Sequence, residues 1–212
     1  MNLKDNKVFV QIGTNNGDDD FNKLVKLHSP SKIILVEPNI SLNEKIHNSY
    51  EDVENVFLEN VIISNYKDEK IKLVKPKNNI NGKSINGIKY DDGHYSLLPL
   101  NDWGNVFDYI ETDTLSFMSL CEKYNLTDIH FLQIDTEGYD SEIILSINFN
   151  KVNIDIIKYE KWYFDESFYE KYGALSKKYG ANGMNEAKKY LISNDYTFID
   201  NEKDLDHVVI KK

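Results

Sequence analysis

Arginine is absent from this chain of 212 residues, so 25 lysines carry all of its positive charge. A guanidinium grips phosphate or carboxylate through two parallel hydrogen bonds, and lysine has no such fork. Ligands recognised mainly through phosphate are therefore disfavoured. Positive charge is also outweighed by negative, since 35 Asp and Glu residues give a formal net charge of -10. An acidic chain repels nucleic-acid backbones and anionic lipid surfaces, so neither is expected as a partner. Cys121 is the only cysteine, which excludes an intrachain disulfide and a thiolate metal cluster. Its place in the amphipathic stretch Ser116 to Tyr124 marks it as a buried, inert thiol. No apolar run approaches the roughly 18 residues that span a bilayer. The opening Met1-Asn-Leu-Lys-Asp-Asn-Lys has no apolar signal centre, so the expected compartment is the cytoplasm.

What the chain does have is a balance of 41% hydrophobic and 28% charged residues, suited to a single folded domain over 1-212. Short apolar runs alternate with helical patterns. Strands are expected near 7-13, 32-37, 56-63, 129-135 and 154-160, with helices near 18-28, 41-50, 114-124 and 139-147. Such alternation predicts an α/β fold with parallel strands and crossover helices, and the nearly continuous apolar runs Ile33 to Val36 and Ile154 to Ile157 predict helices on both faces, a three-layer sandwich. A last helix near 185-194 precedes Tyr196-Thr-Phe-Ile and His207-Val-Val-Ile, which read as an antiparallel hairpin. From Lys75 to Tyr109 the regular pattern fails among many Asn and Gly residues, and this 75-109 segment reads as an insertion able to act as an acceptor-site lid.

The segment Val8-Phe-Val-Gln-Ile-Gly-Thr-Asn-Asn-Gly17 couples an apolar strand to a glycine turn, and Ile33-Ile-Leu-Val-Glu37 supplies a second strand ending in a carboxylate. Gly13 and Gly17 permit a tight turn with a ligand close to the backbone, and Glu37 is placed to accept the hydroxyl protons of a ribose. The spacing lacks the third glycine of a dinucleotide fingerprint, with Asn15 where a middle glycine would stand. Asp18, Asp19 and Asp20 follow at once and would repel a phosphate at the helix start. They read otherwise as a solvated helix start. A cationic, phosphate-free nucleoside ligand such as S-adenosylmethionine fits better than a dinucleotide.

With these elements in order, the chain resembles the FkbM-type methyltransferases, class I enzymes that use S-adenosylmethionine on hydroxyl groups of sugars and natural products. Five stretches carry the resemblance: Ile12-Gly-Thr-Asn-Asn-Gly17, Val36-Glu-Pro38, Asn60-Val-Ile-Ile-Ser64, Thr112-Asp-Thr-Leu115 and Leu132-Gln-Ile-Asp-Thr-Glu-Gly138. The resemblance implies a Rossmann-like sandwich around a mostly parallel seven-stranded sheet, with S-adenosyl-L-homocysteine as the product. It implies cofactor contacts from Gln11, Gly13, Asn15, Gly17, Glu37, Asn60, Val61 and Asp135. Gln11 departs from the acidic residue common at that position, so a neutral amide would meet the cofactor's ammonium.

In a parallel sheet the crevice lies beyond the carboxyl ends of the strands, which gathers Gly13, Glu37, Asn60, Asp135 and Glu160 from separate parts of the chain. Asp135 and Glu137, two apart, face the same side if the strand persists. Asp135 is a candidate to position or deprotonate a hydroxyl, or to anchor a divalent cation with Glu160. Oxygen-ligand metal sites need more donors than the sequence places there, so no metal site is assigned. The simpler reading makes Asp135 a turn residue and Glu137 a helix cap. His94 is a second candidate base, beside Tyr95 and Ser96 in the irregular segment. Tyr95, Ser96, Glu137 and Trp162 are candidates to bind a small-molecule or glycan acceptor, and Tyr109, Glu111, Trp162 and Tyr163 could form its wall. Two other functions stay open: a nicotinamide-dependent oxidoreductase, and a non-catalytic interaction module with a vestigial cofactor cleft. The oligomeric state is not read from the sequence.

Overall fold

In chain order the strands are β1 Val8–Ile12, β2 Lys32–Val36, β3 Val56–Glu59, β4 Ile62–Ile63, β5 Ile71–Pro76, β6 Ser84–Ile85, β7 Ile88–Lys89, β8 Phe107–Thr112, β9 Thr114–Leu115, β10 Asp128–Ile134, β11 Asn153–Glu160, β12 Tyr196–Phe198 and β13 Asp206–Lys211. The helices are α1 Asp20–His28, α2 Asn43–Ser49, α3 Phe117–Tyr124, α4 Asp140–Ser146 and α5 Gly183–Ser193, with a 3-10 turn at Ile40–Leu42 before α2. This is a computed structural model, and it describes residues 6-64, 70-77, 84-85, 88-89, 107-160, 183-201 and 204-212.

The main sheet has seven strands in the order β12-β13-β11-β10-β1-β2-β3. From β11 to β3 every pairing is parallel. β13 runs antiparallel between β11 and β12, the C-terminal hairpin read from the sequence. In β2 the residues Ile33, Ile34, Leu35 and Val36 are all at most 1% exposed, as two covered faces require. One face packs Phe9, Ile33, Leu35 and Phe131 under Phe21 and Val25 of α1 and Ile46 of α2. The other packs Val10, Ile34 and Leu132 under residues of α3, α4 and α5, including Phe117, Ile144 and Leu191. Cys121 is buried in this second core, and loss of water pushes its thiol up to about 12.

Local chemistry sets the helix ends. Asp19 is extended and its side chain accepts the N–H of Asn22, capping α1, while Ser29 closes that helix in the left-handed conformation. Ser116 caps α3 in the same way by accepting from Ser119 N–H. Two sequence expectations change here. Residues 56-63 do not form one strand, because Asn60 turns its amide onto the Glu37 carbonyl at 2.8 Å. Beyond this break Ile62–Ile63 leaves the sheet and pairs with Thr114–Leu115. Residues 114-115 are thus extended, and the helix expected from 114 begins at Phe117. The segment read as irregular is bracketed by the antiparallel pair β5 and β8, and carries the short pair β6 and β7. Its remaining residues, where the lid was expected, lie outside the described ones.

The chain lays down β1, β2 and β3 in one direction and returns to place β10 on the other side of β1, so the strand order reverses between β1 and β10. At this reversal the backbones nearly touch. Asp135 N–H donates to Ile12 O at 2.9 Å, and Gly13 N–H donates to Val36 O at 2.9 Å. A Cβ on Gly13 would lie 1.7 Å from the Asp135 carbonyl oxygen, and Gly13 has φ +84. Gly13→Ala is therefore expected to cost at least about 3 kcal/mol, of which left-handed strain alone accounts for ~1–2 kcal/mol. Urea unfolding measures this, and a wild-type midpoint would contradict the close approach.

Candidate functional site

The reversal of strand order opens a crevice at the carboxyl ends of β1, β2 and β10, where α/β sheets bind ligands. About 640 Å³ of space lies there, part of it continuous with solvent. Its apolar wall comes from Ile12, Val36, Ile62, Ile63 and Leu73. Its polar rim comes from Asn15, Glu37, Asp135, Thr136 and Glu137. Among the described residues no lysine lines it, and the charged groups that do are carboxylates.

Glu37 is 5% exposed, and each of its carboxylate oxygens is held: Asn15 N–H donates to Oε2 and Asn39 N–H to Oε1, both at 2.8 Å. Asn15 reaches it by adopting φ 51, a conformation that Asn tolerates better than most residues. Burial pushes the Glu37 carboxyl up to about 7, against the two backbone hydrogen bonds that favour its charge. Asn60 braces the same strand end, and its side chain also pairs reciprocally with that of Asn43 at 2.9 Å. Asn60 is thus turned away from the cleft, and its neighbour Val61 lines it instead.

Asp135 reaches the rim directly after β10 and is open to the cleft. Packed protein on its inner side, and then repulsion by Asp140 and Asp206, raise its carboxyl, while Lys158 pulls it down. Solvent in the cleft screens part of these effects. Glu160 ends β11, and its carboxyl is raised by burial first and then by Asp135, Asp140, Glu137 and Asp206. The expected alternation of Asp135 and Glu137 fails, because β10 ends at Ile134 and Glu137 adopts φ 51. Both still line the cleft, through a turn rather than a strand. α4 begins at Asp140, and its N-cap residue Tyr139 makes no side-chain cap bond.

Other expected cofactor contacts serve the scaffold. Gln11 is fully buried, and its amide N–H donates to Asp19 Oδ2. Gly13 is required by the Asp135 carbonyl, as above. Gly17 packs against α2, where a Cβ would lie 3.1 Å from the Tyr50 ring and 3.4 Å from Ile46 Cα. His94, Tyr95, Ser96, Trp162 and Tyr163 lie outside the described residues. Sequence reasoning missed Asp140, which is fully buried and accepts from Thr136 N–H at 3.1 Å, from the Thr136 hydroxyl, and from Glu160 N–H at 3.2 Å. It ties the turn after β10 to the end of β11. Its only signal was a place in the first turn of a short helix, which reads equally as a solvated acid. Leu73 was missed because no strand was expected at 71-76. Among the described residues no group of three or more His, Cys, Asp or Glu is arranged to hold a metal ion, and no helix is long and apolar enough to cross a membrane.

A family model described as the methyltransferase FkbM domain matches residues 11-198. Among solved structures, the chain is similar to methyltransferase FkbM from Methylobacillus flagellatus KT, with a TM-score of 0.52, 11% identity and coverage of 98% of this chain and 44% of that one. It thus spans less than half the length of that protein. Further similarities are to an rRNA methylase from Streptococcus thermophilus, with TM-score 0.45, 11% identity and coverage of 98% and 89%, and to precorrin-6y C5,15-methyltransferase from Geobacter metallireducens GS-15, with TM-score 0.44, 12% identity and coverage of 98% and 80%. Among curated proteins none matches the sequence.

Glu37 gives a testable pH dependence. Its carboxyl stands at about 7 in the folded chain against an ordinary 4.5, so the folded state holds a proton that the unfolded state releases. Its contribution is then present below pH ~4.5 and is lost as pH rises through about 7, by at most roughly 3 kcal/mol. Stability of the ligand-free protein, followed by urea unfolding from pH 5 to 8, should fall over that window more steeply than in Glu37→Gln. Parallel curves for the two proteins would remove Glu37 as the source.

Proposed function

The chain belongs to the FkbM methyltransferase domain family, and from that premise we propose that it transfers the methyl group of S-adenosyl-L-methionine to a hydroxyl of a saccharide or polyol. The observation that carries this reading is the buried Glu37 carboxylate, held open by two backbone N–H groups beside an apolar wall and within a rim that, among the described residues, has no lysine. That donor set suits a nucleoside without phosphate: a carboxylate for ribose hydroxyls, aliphatic side chains for a base, and acidic groups for a cation. A pyrophosphate would meet carboxylates instead of positive charge, which counts against a nicotinamide cofactor.

When bound, the cofactor supplies an electrophilic methyl group on a sulfonium. The chain's own residues do the rest. Glu37 and the Asn15 turn fix the ribose, and Val36, Ile62, Ile63 and Leu73 cover the base and exclude water from it. Each carboxylate oxygen of Glu37 keeps a lone pair beside its backbone donor, so it can accept a hydroxyl as well. Asp135, on the cleft rim, would accept the proton of the acceptor hydroxyl where the bound cofactor would supply its methyl group. A carboxyl raised toward neutrality is a more effective base at neutral pH than an ordinary one, and base catalysis of this kind contributes ~10²–10⁴ in rate. Orientation contributes more, on the order of 7-11 kcal/mol in well-aligned systems.

Glu37→Ala should weaken S-adenosyl-L-homocysteine binding at least about tenfold, the loss of one or more charge-assisted hydrogen bonds. Calorimetry reads this, and wild-type affinity would refute the ribose assignment. Asp135→Asn should lower turnover on a saccharide acceptor by ~10²–10⁴ while homocysteine-nucleoside affinity stays within about threefold. Full activity would remove Asp135 from the chemistry. Stabilisation by NAD but not by S-adenosyl-L-homocysteine would reverse the cofactor assignment.

A further inference from the structure

Beside the cofactor cleft the sheet holds a second polar compartment, on the face covered by α1. In the register of the parallel strands Gln11 stands opposite Gln133, and Gln133 opposite Lys158. These three therefore share one face. Asp135 and Glu160 follow two residues beyond Gln133 and Lys158 and lie on the same face, since Asp135 N–H still continues the ladder to Ile12 O. Asp206 on β13 is the register partner of Glu160. The apolar wall of the cleft belongs to Ile12 and Val36, which point to the other face.

Three buried side-chain oxygens in this compartment are acceptors that meet no donor. Gln11 is 0% exposed and donates its amide N–H to Asp19, which fixes the remaining atom as the carbonyl Oε1, and that oxygen meets no donor. Gln133 is 6% exposed, and its Oε1 also meets no donor. Glu160 Oε2 is buried without a donor as well. Lys158, a cation on this face, is held 2.9 Å from Asp206. Buried carbonyls without donors destabilise a fold, and native proteins retain few of them. Two amide oxygens and a carboxylate oxygen without donors on one sheet face, next to Asp135, are complementary to a group with several N–H donors and positive charge.

We propose that this compartment of Gln11, Gln133, Asp135 and Glu160 binds a protonated amine on the methyl acceptor, so that the acceptor is an amino sugar or amino polyol whose ammonium neighbours the reacting hydroxyl. The proposal rests on the reading that the adjacent cleft holds the cofactor and that Asp135 faces both. An ammonium fits better than a hydroxyl, because it brings three donors and no acceptor. It also fits better than a metal ion, since these residues form no metal-ligand group among the described ones. The cofactor's ribose site at Glu37 on β2 is three strand spacings from Glu160 on β11, roughly 14 Å, so the compartment extends well beyond it.

The test is calorimetry near pH 6.5, with glucosamine against glucose and ethanolamine against ethylene glycol, on the apo protein and on protein saturated with S-adenosyl-L-homocysteine. Each amine should bind at least tenfold more tightly than its neutral counterpart in both states. Glu160→Gln and Gln133→Met should erase that preference while leaving S-adenosyl-L-homocysteine affinity within about threefold. Equal binding of amine and neutral probes, or no binding of the amines, overturns the proposal. So does a preference that survives both substitutions, one that Mg²⁺ alone displaces, or one that disappears when S-adenosyl-L-homocysteine is added, which would make the compartment the cofactor's own ammonium site. Failure of S-adenosyl-L-homocysteine to bind counts only against the cofactor reading, because the amine preference is read independently on the apo protein.

Discussion

Backbone meets backbone where Gly13 passes the Asp135 carbonyl, and the rest of the site depends on that contact. With a Cβ position 1.7 Å from that oxygen, only glycine lets the turn after β1 lie against the end of β10. The hydrogen bonds from Asp135 N–H to Ile12 O and from Gly13 N–H to Val36 O then lock three strand ends into one plane. Glu37 from β2 and Asp135 from β10 thereby face one cleft, although 97 residues of sequence lie between them. The glycine is thus explained first by packing of the chain on itself. Closeness to a ligand follows from the same turn.

The second organising constraint is an excess of negative charge. Asp135, Glu137, Asp140, Glu160 and Asp206 gather near the ends of β10, β11 and β13, and Lys158 is bound to one of them. Asp140 is stabilised by donors from Thr136 and from the Glu160 backbone, so it holds the structure together. Asp135 and Glu160 have no such set of donors; the Glu160 carboxyl is raised by burial and then by neighbouring acids, and that of Asp135 by the packed protein on its inner side and then by Asp140 and Asp206. This separates two kinds of acid that look alike in sequence. One kind is satisfied within the fold, and the other is left for a cationic or donor-rich ligand.

Much of the architecture was readable from periodicity. The run Ile33 to Val36 signalled a strand covered on both faces, and Tyr196 to Phe198 with His207 to Ile210 signalled the hairpin, because burial on a sheet leaves a direct mark on hydrophobic pattern. Boundaries set by side-chain bonds to distant backbone were not readable. Asn60 ends β3 by reaching the Glu37 carbonyl, and Thr114–Leu115 becomes a strand only because β4 lies beside it. The site divides in the same way. Glu37, Asp135 and Glu137 line the cleft, whereas Gln11, Gly17 and Asn60 brace it, and Leu73 reaches its wall from a strand the pattern did not announce.

The sequence by itself determined the α/β alternation, the glycine turn followed by a strand ending in a carboxylate, and the acidic character of the crevice. These follow from local spacing and residue type, which survive without knowledge of neighbours. Only the tertiary structure decided which acids are satisfied and which are not, that Gly13 makes room for backbone, and that Gln11, Gln133, Asp135 and Glu160 share one face. Those facts depend on strand order and register, which bring residues together from opposite ends of the chain and leave no trace in the spacing of either.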